Sequence, residues 1–357
     1  MPDDKPPIAI PMLTADRIVP SPRPDAIGVG ADNGNRPIDA AGSFSAADKF
    51  PVKLLQNKRC IDECGHILPV HVQLIPTNVC DLRCPFCSCA NRKHGHAMPW
   101  GEMRELLACM KASGTQSVTI TGGGEPCLYP RINDLIEECN RLGIRTGLVS
   151  NGSPLSIPRL EAAGATWIRL SFSDDRAVDA AFVSRIEEAV KRVPSDWAFS
   201  YVVTDKPNLE NIKTILALAD RLRFTHVRLV ADILRPDTVG DFEELRSELR
   251  GSPGEDLAIY QDRKMFTRGT DCCLISLLKP VVDVDGTIYP CCGVQYALVN
   301  PSLQMEPAMQ MGHWREFFAD QDNSRAFDGS TCVKCYYSDY NLALELMTRR
   351  LIHREFV

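Results

Sequence analysis

The chain has 357 residues, enough for one large core with an appendage or for two domains, and its 44% apolar and 24% charged content is that of an ordinary globular protein. A net charge of -6 argues against a broad phosphate-binding surface, which disfavours a nucleic-acid partner but leaves room for a small nucleotide. No run approaches the roughly 18 apolar residues of a membrane span, and the start carries acidic Asp3 and Asp4 without a long apolar stretch, so neither a membrane partner nor a secretory signal is expected. Fifteen cysteines in such a chain point to metal or catalytic use in a reducing, cytoplasmic compartment.

Residues 1–48 are rich in Pro, Gly, Asp and Ala, with Pro20-Ser21-Pro22-Arg23-Pro24 and little periodicity, and read as an irregular lead. Next come Cys60, Cys64 and His66, which incidental thiols in a hairpin explain better than a metal site. From residue 72 to 231, strand-length apolar runs at 72–76, 117–121, 144–149, 167–171, 198–203 and 226–230 alternate with helical patterns near 99–112, 131–142, 155–163, 178–192 and 209–222. In the last of these, Ile212, Ile215, Leu216, Leu218 and Ala219 keep to one face. Such alternation implies a parallel sheet with crossover helices and functional residues at the C-terminal ends of its strands. Residues 232–271 read as a polar bridge with a short helix at 241–249, and the chain closes on an amphipathic helix from Tyr340 through Ile352.

The chemistry gathers at the strand ends. Cys80-Asp81-Leu82-Arg83-Cys84-Pro85-Phe86-Cys87 follows the first strand. As disulfides, these three cysteines would leave a thiol over, and such close neighbours bridge poorly. As thiolates they suit zinc or an iron-sulfur cluster and leave one metal position open. The second strand runs into Gly122-Gly123-Gly124-Glu125-Pro126, where bare backbone lets a ligand approach and Glu125 offers an acceptor to an ammonium. Cys127, directly after this turn, is either packing or a hydrogen-atom or proton donor. The third strand ends in Ser150-Asn151-Gly152, which is either a ligand-binding end or an Asn-Gly turn. Ser171 ends the fourth. Arg169 in that strand and Arg228 in the sixth face either a site or a salt-bridge partner.

The cysteine triplet with Phe86 before its last member, the Gly-Gly-Gly-Glu turn about 35 residues beyond and the polar strand ends together resemble the radical S-adenosylmethionine (SAM) superfamily. The resemblance implies an α/β fold, a partial (β/α)6 barrel over residues 49–235. It implies that Cys80, Cys84 and Cys87 hold a 4Fe-4S cluster whose fourth iron is chelated by SAM. Gly122, Gly123, Gly124 and Glu125 would then receive the methionyl amino group, with Phe86, Ser150, Asn151 and Ser171 in the SAM pocket. A catalytic Cys127 would match the quenching cysteine of some radical epimerases. An electron donor such as flavodoxin or ferredoxin is the implied partner.

A second cysteine group comprises Cys272, Cys273, Cys291, Cys292, Cys332 and Cys335. Residues 282–291 read as a β-hairpin with an Asp285-Gly286 turn, which brings Cys273 and Cys291 together, and Cys332-x2-Cys335 closes the set from a loop before the last helix. A four-cysteine structural zinc is one reading. The spacing also resembles the Twitch domain, the shortened form of the SPASM domain. That resemblance implies that residues 236–357 form a small β-hairpin/α domain with a second, auxiliary 4Fe-4S cluster on Cys273, Cys291, Cys332 and Cys335. Cys272 or Cys292 could replace its neighbour. Twitch relatives act on small polar molecules, so the expected activity is hydrogen abstraction from an aminocyclitol, sugar or nucleotide, giving oxidation, epimerisation or rearrangement. The alternatives are a ribosomal peptide substrate, against which counts the lack of an apolar leader-binding segment in the lead, a base in a nucleic acid, and a non-enzymatic metal-binding or electron-carrier protein.

Overall fold

Side-chain alternation sets the architecture. In β4 (Trp167–Ser173), Ile168, Leu170 and Phe172 are buried on one face while Trp167, Arg169 and Ser171 on the other are half-buried. The computed structural model describes residues 50–61, 67–90, 92, 95–154, 156, 164–232, 242–261, 269–293, 309–319, 326–332, 335 and 337–348. Before β4 come α1 (Phe50–Gln56), β1 (His71–Leu74), α2 (Trp100–Ala112), β2 (Ser117–Ile120), α3 (Ile132–Arg141) and β3 (Arg145–Ser150). After it follow α4 (Ala180–Arg192), β5 (Asp196–Val203), α5 (Leu209–Arg221), β6 (His226–Ala231), α6 (Glu243–Leu249) and β7 (Ala258–Gln261). The C-terminal part adds α7 (Ile275–Leu278), β8 (Val281–Val282), β9 (Ile288–Tyr289), α8 (Trp314–Ala319) and α9 (Ser338–Thr348).

All six expected strands form, with ends that shift by two residues at most. Strand β7 and helix α1 were not foreseen. The lead over 1–48, most of the expected helix 155–163, and Cys64 and His66 lie outside the described residues. The hairpin expected around Cys60 has an antiparallel bridge between Ile61 and Ile67.

Among the described residues the strands form one sheet in the order β7-β6-β5-β4-β3-β2-β1-β8-β9, open at both edges and parallel throughout except for the β8–β9 pair. This is an α/β partial barrel. The C-terminal hairpin does not stand apart from it. β8 runs parallel to β1, with Gln73 opposite Val281 and Leu74 opposite Val282. The Gln73 and Ile75 amides donate to the Pro280 and Val282 carbonyls at 3.0 and 2.9 Å, which satisfies a strand edge that would otherwise expose its backbone.

Helices cover one face of the sheet. α5 buries Ile212, Ile215, Leu216, Leu218 and Ala219, the face its sequence periodicity predicts, and the Asn208 side chain caps its start by accepting from the Asn211 amide at 3.1 Å. Trp314 of α8 is buried against the barrel, and its indole donates to Glu102 of α2 at 3.2 Å. Arg315 adds Nη1 to Glu102 at 3.3 Å and Nη2 to Glu105 at 2.7 Å.

Candidate active site

The C-terminal ends of β1, β2, β3 and β4 converge on one edge of the sheet because parallel strands point the same way. After β1 the chain leaves at Asn78 and returns at Ala97, and its base is closed by a Thr77–Ala97 bridge and by the Asn78 amide donating to the His96 carbonyl at 2.8 Å. Inside this loop the Cys87 amide donates to the Cys84 carbonyl and the Ala90 amide to the Cys87 carbonyl, both at 3.1 Å. Cys80, Cys84, Phe86 and Cys87 are all half-buried. Burial, then Cys87, Asp175 and Cys80, push the Cys84 thiol up to about 11, with Arg176 opposing. Arg92 ties the loop together, donating to the Asn78 carbonyl at 3.1 Å, the Cys89 carbonyl at 2.7 Å and the Cys87 sulfur at 3.7 Å.

The glycine turn after β2 lies directly against the base of that loop. The Gly124 amide donates to the Thr77 carbonyl at 2.9 Å and the Glu125 amide to the Val79 carbonyl at 2.8 Å. A Cβ on Gly123 would strike Asn78 Oδ1, and one on Gly124 would strike the Val79 carbonyl, so this approach requires glycine at both positions.

Glu125 is the hub. Only 3% exposed, it accepts from the Cys127 amide at 3.0 Å and the Ser150 hydroxyl at 2.8 Å on Oε1, and from the Asn151 amide at 2.6 Å on Oε2. Burial raises its pKa, and these hydrogen bonds pull it back. The Cys127 side chain adds a fourth donor to this carboxylate. Asn151 in turn donates its side chain to Asp81 at 2.7 Å, and Ser153 donates to the same carboxylate at 2.5 Å. Glycine turn, β3 end and cysteine loop are thereby one hydrogen-bonded unit.

Cys127 is fully buried within the core, and its thiol donates to Ser150 at 3.5 Å. This geometry favours packing over a donor facing a substrate. Ser171 is half-buried at the end of β4, and its carbonyl accepts from Arg176 Nη1 at 2.8 Å. The same Arg176 nitrogen donates to the Asn151 carbonyl at 2.6 Å, and its guanidinium lies 4.3 Å from the Phe172 ring centroid. Sequence reasoning missed Asp81, Arg176 and Asn78. Asp81 and Arg176 carried a faint signal, an acid inside the cysteine loop and a lone cation at a strand end.

The second cysteine group also assembles. Burial, then Cys292, Cys273 and Cys332, push the Cys291 thiol far up. Burial lifts Cys273 to about 11, with Cys335 and Cys332 adding to it, and Cys332 feels Cys335 in the same way. The four expected cysteines are therefore electrostatic neighbours, whereas Cys272 is exposed and shifted by burial alone. Cys292 pairs with the Tyr337 hydroxyl at 2.8 Å, and the buried Asn341 amide donates to the Cys273 sulfur at 3.7 Å. Among the described residues no three His, Cys, Asp or Glu side chains are gathered tightly enough to hold a metal ion in this structure.

Residues 74–195, from the end of β1 to the residue before β5, match the Radical SAM superfamily, a family that works with a 4Fe-4S cluster and SAM. The chain is 35% identical over 100 residues to the S-adenosylmethionine-dependent nucleotide dehydratase of Flammeovirga pacifica, 26% of this chain and 34% of that one. It is 28% identical over 145 residues to the PqqA peptide cyclase of Methylorubrum populi, 39% of this chain and 37% of that one. The matched stretches thus span about a third of the length of these relatives. Streptococcus suis SuiB bound to its precursor peptide SuiA shares the fold, with a TM-score of 0.55 at 17% identity over 89% of this chain and 81% of that one.

The site fits that family's cofactors. Asn78 Oδ1 is buried with no hydrogen-bond partner among the described residues, and it sits against Gly123 backbone, where an ammonium or hydroxyl would satisfy it. Three thiols on one loop are the soft donor set an iron-sulfur cluster takes. Among the described residues no helix is long and apolar enough to cross a membrane.

Proposed function

We propose that the chain is an enzyme that reductively cleaves SAM and takes a hydrogen atom from a small polar substrate. The observation that carries this is the unit around Glu125, which locks the glycine turn, the β3 end and the cysteine loop into one cradle. Cys80, Cys84 and Cys87 would hold the SAM-binding cluster. When bound, the cluster supplies the electron and SAM supplies the 5'-deoxyadenosyl radical that removes the hydrogen.

Glu125 and Asn78 offer acceptors to the methionyl ammonium, and the bare backbone of Gly122, Gly123 and Gly124 lets it approach. Ser150 and Asn151 hold Glu125 in place, and Phe86 and Ser171 wall the pocket. Cys273, Cys291, Cys332 and Cys335 would hold an auxiliary 4Fe-4S cluster; their mutual proximity supports this set, and the exposure of Cys272 favours Cys273 over it. Flavodoxin or ferredoxin is the proposed electron donor. A second reading, modification of a peptide, is supported by the similarity to the PqqA peptide cyclase.

The test is 5'-deoxyadenosine formation under dithionite, with iron and acid-labile sulfide counted in wild type and in the triple Cys80/Cys84/Cys87→Ala variant. About eight irons falling to about four, with nucleoside formation abolished, is expected. No 5'-deoxyadenosine from the reconstituted wild type would defeat the proposal. Zinc in place of the remaining four irons would remove the auxiliary cluster from it.

A further inference from the structure

Arg92 brings a full positive charge to a sulfur of the first cysteine triplet, and the local fold explains how. Two successive turns follow Cys87: the Ala90 amide donates to the Cys87 carbonyl and the Arg92 amide to the Cys89 carbonyl, both at 3.1 Å. The chain is thereby folded back on itself, and the half-buried Arg92 side chain returns to Cys87. Its guanidinium is fixed at two points, with Nε donating to the Asn78 carbonyl at 3.1 Å and Nη1 to the Cys89 carbonyl at 2.7 Å. Nη1 carries two hydrogens, and with one on that carbonyl the other meets Cys87 Sγ at 3.7 Å.

Two features make this contact more than a brace. Asn78, which takes the Nε bond, is also the residue whose buried Oδ1 lies against Gly123 without a hydrogen-bond partner among the described residues. The guanidinium is therefore anchored on the residue that meets the proposed SAM pocket and is aimed at a proposed cluster ligand. Its charge also reaches past Cys87: burial raises the Cys80 thiol, and a backbone bond from Leu82 and the Arg92 charge pull it back, against Glu125 and Asp81. Arg176 is placed differently. Although its charge is felt at Cys84, its Nη1 is spent on the Asn151 and Ser171 carbonyls.

We infer that Arg92 is a positioning residue that acts through Cys87 and raises the reduction potential of the cluster on Cys80, Cys84 and Cys87. The inference rests on the proposed SAM-cleaving function and adds what makes that site reducible. One electron arrives from the reduced carrier protein, no bond is made or broken, and the thiolate-bound iron gains one negative charge. A fixed cation and a charge-assisted N–H···S bond stabilise the added charge, so the electron is easier to place.

The experiment is a dithionite redox titration of the cluster-loaded protein followed by electron paramagnetic resonance, with the signal that changes on adding SAM assigned to this cluster. In Arg92→Gln the ratio of reduced to oxidised cluster at the wild-type midpoint is expected to fall about tenfold, a downward shift of about 59 mV for one electron. Iron content and the potential of any signal that SAM leaves unchanged are expected to stay as in wild type. Arg92→Lys, which keeps the charge but loses the fork, is expected to recover part of the shift. A wild-type midpoint in Arg92→Gln overturns the inference. An equal shift of every signal overturns it as well, because it would report a general loosening of the protein. Should Arg92→Gln load less iron than wild type, Arg92→Lys decides: a lowered midpoint supports the inference and an unchanged one overturns it. A wild type whose iron count is untouched by the loss of Cys80, Cys84 and Cys87 would sink the functional reading itself.

Discussion

Glu125 shows how much one side chain is asked to do here. A buried carboxylate is tolerable only when hydrogen bonds replace its hydration, and three short donors from two different strand ends do so. Glu125→Gln keeps the volume but turns an amide nitrogen toward N–H or O–H donors, leaving at least one buried donor unmatched, at a cost of about 1–3 kcal/mol. The expected outcome is a lowered urea midpoint together with at least a tenfold loss of SAM affinity, measured by equilibrium binding. A variant with wild-type SAM affinity would show that Glu125 only braces the loops. At the same scale Asn341 illustrates what no motif announces: 68 residues beyond Cys273 in sequence, its side chain donates to that sulfur and accepts from the Ile275 amide at 2.8 Å.

At the scale of elements, the C-terminal region is fastened at three places among the described residues, one of them the stacking of Phe50 of α1 on Tyr340 of α9 at 4.1 Å between ring centroids. A second is the β1–β8 pairing. The third is α8 against α2, where Trp314 buries its ring and the Ser113 hydroxyl donates to the Phe318 carbonyl at 3.2 Å. Removing a buried Trp side chain costs about 3–5 kcal/mol through lost burial and the cavity left behind. Trp314→Ala is therefore expected to lower the urea midpoint and to make the segment after β9 the first cut in limited proteolysis. An unchanged cleavage pattern would mean that the β1–β8 pairing and the α1–α9 contact hold this region without Trp314. The hairpin's attachment was invisible in sequence because a two-residue strand carries no period, and its partner is some 200 residues away.

For the molecule as a whole, the two ends of the sheet have different tasks. Chemistry lies at the C-terminal ends, whereas the opposite ends of β1 and β6 begin with His71 and His226. Burial holds both imidazoles below their usual pKa, His226 at about 3. Unfolded chains bind these protons near pH 6.5 while the folded protein does not, so stability is full above that value and is lost as the pH falls toward 3. His226 contributes a slope of about 1.4 kcal/mol per pH unit within the window. Urea midpoints between pH 7 and 5 should fall accordingly, and His226→Asn should flatten the slope by about one proton. An unaltered slope in the variant would mean that His226 is protonated in the folded state.

Local pattern carried the six barrel strands, the buried face of α5, the glycine turn and both cysteine groups, because alternation, helical periodicity and ligand spacing are properties of neighbouring residues. It also exposed Arg169 and Arg228 as charges that need a partner. Only the tertiary structure decided what those residues meet. It placed Arg228 level with Ser171, seated Glu125 among donors from β3, buried Cys127 and brought the hairpin to the edge of β1. Those outcomes depend on register and on contacts between distant segments, and a single chain read in order carries no record of either.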